Sequence, residues 1–95
     1  MNKSWSWKGY HIAWKLDNES ENKEIAILLI HGFGASKDHW RFNQKVISSK
    51  APCYSIDLVG FGESSQPKAQ LAYEKKQSDS FNYCFDQWGQ QIIDF

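Results

Sequence analysis

Two glycine-bearing stretches hold the residues whose types and spacing could do chemistry. His31-Gly32-Phe33-Gly34 follows six consecutive apolar residues, Ile25 to Ile30. Asp57-Leu58-Val59-Gly60-Phe61-Gly62-Glu63-Ser64 closes a second run that begins at Tyr54. A tight turn at the carboxyl end of a strand can aim backbone N–H groups at a carbonyl oxygen that becomes an oxyanion. Removing one such preorganised donor costs about 3–4 kcal/mol of barrier. Taken alone, His31 to Gly34 fits equally well a tight strand-to-helix turn with a packed histidine. No metal chemistry is expected, because neither Cys53 nor Cys84 has a second ligand at metal-binding spacing. Gly32 to Lys37 departs from G-x-G-x-x-G at its sixth position, which argues against a dinucleotide or phosphate loop.

The elements that must position these turns follow from hydrophobic patterning. Ile25 to Ile30 shows no polar alternation and is rich in isoleucine, which predicts a central parallel strand covered on both faces. Ser4 to Trp7 and Tyr10 to Leu16 alternate across Lys8-Gly9 and predict an antiparallel hairpin, with Tyr10, Ile12 and Trp14 on one face. Asp17 to Lys23 is polar and reads as a solvated loop. Asp38 to Ser49 reads as a helix capped by Ser36 or Asp38, with Trp40, Phe42, Val46 and Ile47 on a broad apolar face. Tyr54 to Leu58 is the next strand, so strand, helix and strand form a βαβ unit. Gln66 to Ser80 is a polar excursion without a clear period. Tyr83 to Phe95 reads as a helix with a stripe of Phe85, Trp88, Ile92 and Phe95 that is still running at the last residue. That pattern predicts a chain cut within or at the end of a helix. The fold class expected is therefore α/β.

Bulk properties narrow the function classes. The 95 residues include 11 basic and 11 acidic side chains, and the formal net charge of zero gives no footprint for nucleic acid. The amino terminus lacks the apolar segment of a signal peptide, and six apolar residues are far short of the roughly 20 that span a bilayer. Two cysteines without close partners fit free thiols in a reducing cytoplasm.

A strand ending in HGFG, one helix, and a strand ending in D-x-x-G-x-G-x-S resembles the α/β-hydrolase superfamily. The stretches HGFGASKDHW, DLVGFGESSQP and FDQWGQQIIDF look similar to cyanobacterial and plastid hydrolases of that fold. The resemblance runs from Trp5 onward and corresponds to the amino-terminal part of such an enzyme: hairpin, βαβ unit, then helix. It implies that the Phe33 N–H is one oxyanion-hole donor and that the second is the residue after the nucleophile. It implies that His31, Gly32, Gly34, Asp57, Gly60, Gly62 and Ser64 support the two turns, with His31 not the catalytic base. No G-x-S-x-G occurs in the sequence, and Ser64 lies outside any such elbow. His11 and His39 stand in no readable triad relation. The implied protein is a hydrolase of a small-molecule ester or related carbonyl, using no cofactor, with its serine nucleophile beyond residue 95. The chain by itself is expected to be inactive and, through the open edge of the Ile25 strand, to self-associate. The alternative is a non-catalytic remnant or partner-binding piece of the same fold.

Overall fold

The computed structural model describes residues 2–18, 25–69 and 80–95. Its framework is a four-stranded sheet of order β1-β2-β4-β3. Strands β1 (Asn2–Trp7) and β2 (Tyr10–Asp17) form the expected hairpin, with Trp7 opposite Tyr10. Lys8 and Gly9 both have positive φ, 50° and 82°, the two-residue turn whose twist matches that of the flanking strands. Strand β4 (Cys53–Ile56) lies between β2, to which it is antiparallel, and β3 (Ile27–Ile30), to which it is parallel. The βαβ unit is therefore present, with a 3-10 turn at Lys37–Trp40 leading into α1 (Arg41–Ile47). Ser36 caps that turn, its hydroxyl accepting from the Asp38 N–H.

Alternation along β4 separates two faces. Ile56 joins a core of Trp7, Ile12, Val59 and Phe81, and Tyr54, on the same face, stacks on Trp14; α2 (Phe85–Asp94) covers this face. Phe95 ends α2 with its ring edge against Trp5 and Trp14 and its ring 6.0 Å from that of Tyr54. Cys53 and Ser55 face α1 instead. Ile12 and Ala13 are both buried, because β2 is interior to the sheet and covered on either side. A short parallel bridge, β5 (Lys68–Ala69) with β6 (Ser80–Phe81), crosses the polar excursion. The interior of that excursion, and most of the polar loop before β3, lie outside the described residues.

Three expectations are corrected. The strand at Ile25 begins at Ile27 and is only half-covered instead of buried on both faces, with Ile30 39% exposed; it stands at the sheet edge, where its open edge was expected. Among the described residues no strand pairs with its outer side, so an unbroken apolar run here marks an element left partly open. The face of α1 holds only in part: Trp40 and Ile47 are half-buried, but Phe42 and Val46 are 72% and 71% exposed, whereas Gln44 is fully buried. The sheet presents the Cys53 carbonyl and the Ser55 hydroxyl there, and a glutamine amide satisfies both at once. The α2 stripe holds at the half-buried Trp88, Ile92 and Phe95, but Phe85 is exposed and Gln91 is the fully buried residue.

Candidate functional site

The two glycine turns lie side by side at the carboxyl ends of β3 and β4, the parallel pair, where open α/β sheets place ligands. Three sets of contacts join them. His31 is buried, its Nδ1 donates to the Gly32 carbonyl at 2.7 Å, and its Nε2 accepts from the Leu58 N–H at 3.0 Å. That pairing assigns a neutral ring protonated at Nδ1. Phe61 then reaches back, its ring 5.4 Å from His31 and 5.4 Å from Phe33.

The third set is a buried ionic cluster around Asp57. Its Oδ1 accepts from the Lys37 N–H at 2.6 Å, and its Oδ2 accepts from the Glu63 N–H at 2.8 Å and the Lys37 ammonium at 3.2 Å. The same ammonium donates to Glu63 Oε1 at 2.7 Å. The Lys37 and Asp57 side chains are fully buried, while Glu63 is largely exposed. Burial alone would lower the Lys37 pKa. Hydrogen bonds to Glu63 and Asp57, with the attraction of Asp57 and Asp38, outweigh burial and raise it above the ordinary lysine value.

Gly62 fits against this cluster. Its φ is 56°, and a Cβ there would fall inside the Asp57 carboxylate. Gly60, at φ 97°, carries the Tyr83 ring against its backbone. Ser64 is buried, and its hydroxyl accepts from the Ala13 N–H at 2.9 Å while donating to the Asp57 carbonyl at 2.8 Å. Its oxygen is thus committed to tying the second turn to β2. Gly32 and Gly34 shape the first turn, and a Cβ on either would meet nothing within 4 Å.

Phe33 stands apart from all of these. Its side chain is 89% exposed, and among the described residues nothing accepts a hydrogen bond from its backbone N–H. One donor is therefore held at the tip of a turn that His31 braces on one side and Lys37 on the other, without a partner among the described residues.

Sequence reasoning missed Lys37, Glu63 and Gln91. Gln91 is buried on α2, accepts from the Val59 N–H at 3.0 Å and donates to the Asp57 carbonyl at 3.2 Å. Lysine and glutamine are mostly exposed residues, and no spacing in the sequence marks these as exceptions. Cys53 is a free, buried thiol whose pKa is raised by burial and by Asp17, and Cys84 is a free, half-buried thiol at the start of α2. Among the described residues there is no group of three acidic, histidine or cysteine side chains placed to hold a metal, and no helix long and apolar enough to cross a membrane.

Comparison with known proteins adds an independent line. A family model described as alpha/beta hydrolase fold matches residues 25–93. A pig (Sus scrofa) protein named 1-acylglycerol-3-phosphate O-acyltransferase ABHD5 is 34% identical over 74 residues, covering 78% of this chain and 21% of its own length. A human (Homo sapiens) (lyso)-N-acylphosphatidylethanolamine lipase is 34% identical over 47 residues, 50% of this chain and 14% of its own. The crystal structure of a membrane phospholipase A, described as a bacterial virulence factor, superposes with a TM-score of 0.66 at 34% identity. That match covers 78% of this chain and 23% of the phospholipase. The chain thus spans about a fifth of the length of the pig protein that it matches.

Proposed function

Because the chain belongs to the α/β-hydrolase fold family, we propose that its two glycine turns form the oxyanion-stabilising half of an ester-hydrolysing site. The observation that carries this reading is the braced Phe33 N–H at the carboxyl end of β3, which has no partner among the described residues. In the complete reaction a serine oxygen adds to the carbonyl carbon of a small-molecule ester. A histidine takes the serine proton, and the carbonyl oxygen becomes an oxyanion held by the Phe33 N–H and by the N–H after the serine. Collapse expels the alcohol, which takes the proton from the histidine, and water then releases the acid by the same steps. The nucleophile, acid and base lie beyond residue 95 in this reading, which the coverage of about a fifth of a relative's length supports. The two free thiols support a reducing, cytoplasmic setting.

The test is ester turnover by the 95-residue chain and by the longest product of the same reading frame. The chain alone is expected to be silent. In an active longer product, Phe33→Pro removes the N–H and is expected to lower kcat about 10²–10³-fold. Unchanged kcat in that variant would refute the assignment.

A second reading rests on β3, whose outer edge is unpaired among the described residues and whose last residue Ile30, like Phe33 in the turn after it, is exposed. An open apolar edge pairs with other chains. On this reading the chain is a non-catalytic, partner-binding or self-associating piece. Sedimentation that reports a monomer at all concentrations would overturn it.

A further inference from the structure

The backbone just beyond β4 has no ladder to hold it, so its buried N–H and C=O groups must find partners among side chains. Leu58 and Val59 are both buried there. The Leu58 N–H goes to His31 of the first turn. Both backbone groups of Val59 go to α2. Gln91 Oε1 accepts from its N–H at 3.0 Å, and the Trp88 indole N–H donates to its carbonyl at 3.0 Å. Gln91 Nε2 also donates to the Asp57 carbonyl at 3.2 Å. Trp88 and Gln91 lie three apart on α2 and so share a face. Val59 is fully buried, which leaves no water to replace either side chain.

Phe61 carries this hold across to the first turn. Its ring centroid lies 5.8 Å from that of Trp88, 5.4 Å from His31 and 5.4 Å from Phe33. Trp88 therefore grips the second turn twice, at the Val59 carbonyl and at the Phe61 ring. From this we infer that Trp88 and Gln91 are positioning residues for the Phe33 N–H: α2 fixes the second turn, and the second turn fixes the first. For turnover this rests on the oxyanion reading of Phe33, whereas the mechanical link stands without it. If the two side chains served only to dock the helix, their loss would lower stability and leave the Phe33 amide as it was.

Trp88→Phe keeps an aromatic ring and strands the Val59 carbonyl. Gln91→Met keeps the length of the side chain and strands the Val59 N–H. In the 95-residue chain, nitrogen-15 relaxation reads the order of the Phe33 amide. The squared order parameter is expected near 0.85, about the rigid-backbone value, in the native chain and below about 0.6 in either variant. In an active longer product, Trp88→Phe is expected to lower kcat by about 10-fold, and by at most about the 10²-fold that a 1 Å misplacement costs, with KM little changed. A double-mutant cycle then separates the roles. Once Phe33→Pro has removed the N–H, Trp88→Phe should change kcat by no more than about twofold. A Phe33 amide that stays rigid in the folded variants overturns the inference, and so does a full kcat loss from Trp88→Phe in the Phe33→Pro background. Where a helix variant fails to fold, Phe61→Leu breaks the same link outside the helix and decides by the same readings. A mobile Phe33 amide together with a Phe33→Pro variant of native kcat would leave the link standing and remove the oxyanion reading.

Discussion

Replacing Lys37 with methionine removes a charge from the middle of the fold while keeping most of the volume. The Lys37 side chain is fully buried, and its ammonium lies 3.2 Å from Asp57 Oδ2 and 2.7 Å from Glu63 Oε1. In Lys37→Met the Asp57 carboxylate stays buried with backbone donors from residues 37 and 63 only. Breaking a buried pair by deleting one partner costs about 3–5 kcal/mol. Glu63 is exposed and regains water, so its share is small. A loss of about 3 kcal/mol is therefore the expectation, a drop of roughly 12–24 °C in Tm for a domain of this size. Urea or thermal unfolding followed by circular dichroism reads it. The double variant Lys37→Met with Asp57→Asn leaves no unpaired charge and should recover part of the loss. The pH dependence supplies a second check. The folded-state pKa of Lys37 is raised, so the folded chain holds this proton more tightly than the unfolded chain. Its contribution is full below roughly pH 10.4, the ordinary lysine value, and is lost as pH rises through the folded value. The native chain should therefore lose stability over that alkaline window faster than Lys37→Met. A methionine variant within about 1 kcal/mol of native, the scale of an exposed ion pair, with a parallel alkaline limb, would refute the cluster's role.

Gly62→Ala forces a left-handed φ on a residue with a Cβ and drives that Cβ into the Asp57 carboxylate. The two costs together are about 2–5 kcal/mol, and a Tm shift smaller than that of an ordinary surface variant would contradict the geometry. Ser64→Ala strands the buried Ala13 N–H, whereas the Asp57 carbonyl keeps its bond from Gln91. It should cost about 1–3 kcal/mol in urea unfolding and leave ester turnover by an active longer product intact. Loss of turnover at unchanged stability would make Ser64 a reacting group.

Legibility followed the range of the forces involved. The hairpin was readable because Lys8-Gly9 sits between two alternating runs, and a two-residue turn sets strand register locally. The βαβ unit was readable because the apolar run Ile25 to Ile30 and the strand-like Tyr54 to Leu58 each lead into a glycine turn with a helical pattern between them. Which side of a helix meets the sheet was not readable. Phe42 and Val46 share a stripe by spacing, but only β4, with a free carbonyl and a hydroxyl at that spot, makes Gln44 the inward residue. The same holds for Gln91 on α2, which caps the Val59 N–H where β4 has ended. Lys37 was invisible for a related reason. Its carboxylate partners are 20 and 26 residues away, and only the approach of the two turns brings three charges together.

The histidine of the first turn shows how that approach bears on chemistry. A general base needs a ring nitrogen with a free lone pair directed at the reacting group. In His31 the Nε2 lone pair is taken by the Leu58 N–H at 3.0 Å, and Nδ1 is protonated and donates to Gly32. Taking up a substrate proton at Nε2 would break the bond to Leu58 and place two N–H groups face to face in a buried site, where an unpaired donor costs about 1–3 kcal/mol. The ring therefore works as a brace: it holds Leu58 in the second turn against Gly32 in the first, one residue from the Phe33 N–H. Nitrogen-15 spectra of the ring, recorded at mildly alkaline pH, should show a protonated Nδ1 and an Nε2 of the hydrogen-bond-accepting type. His31→Phe keeps the ring and loses both bonds, so it should increase hydrogen exchange at Leu58 and disorder the Phe33 amide without introducing a new pH dependence in turnover. A protonated Nε2 with a bare Nδ1, or a Leu58 amide that exchanges as slowly in the variant as in the native chain, would mean that the two turns are held together by something other than this ring.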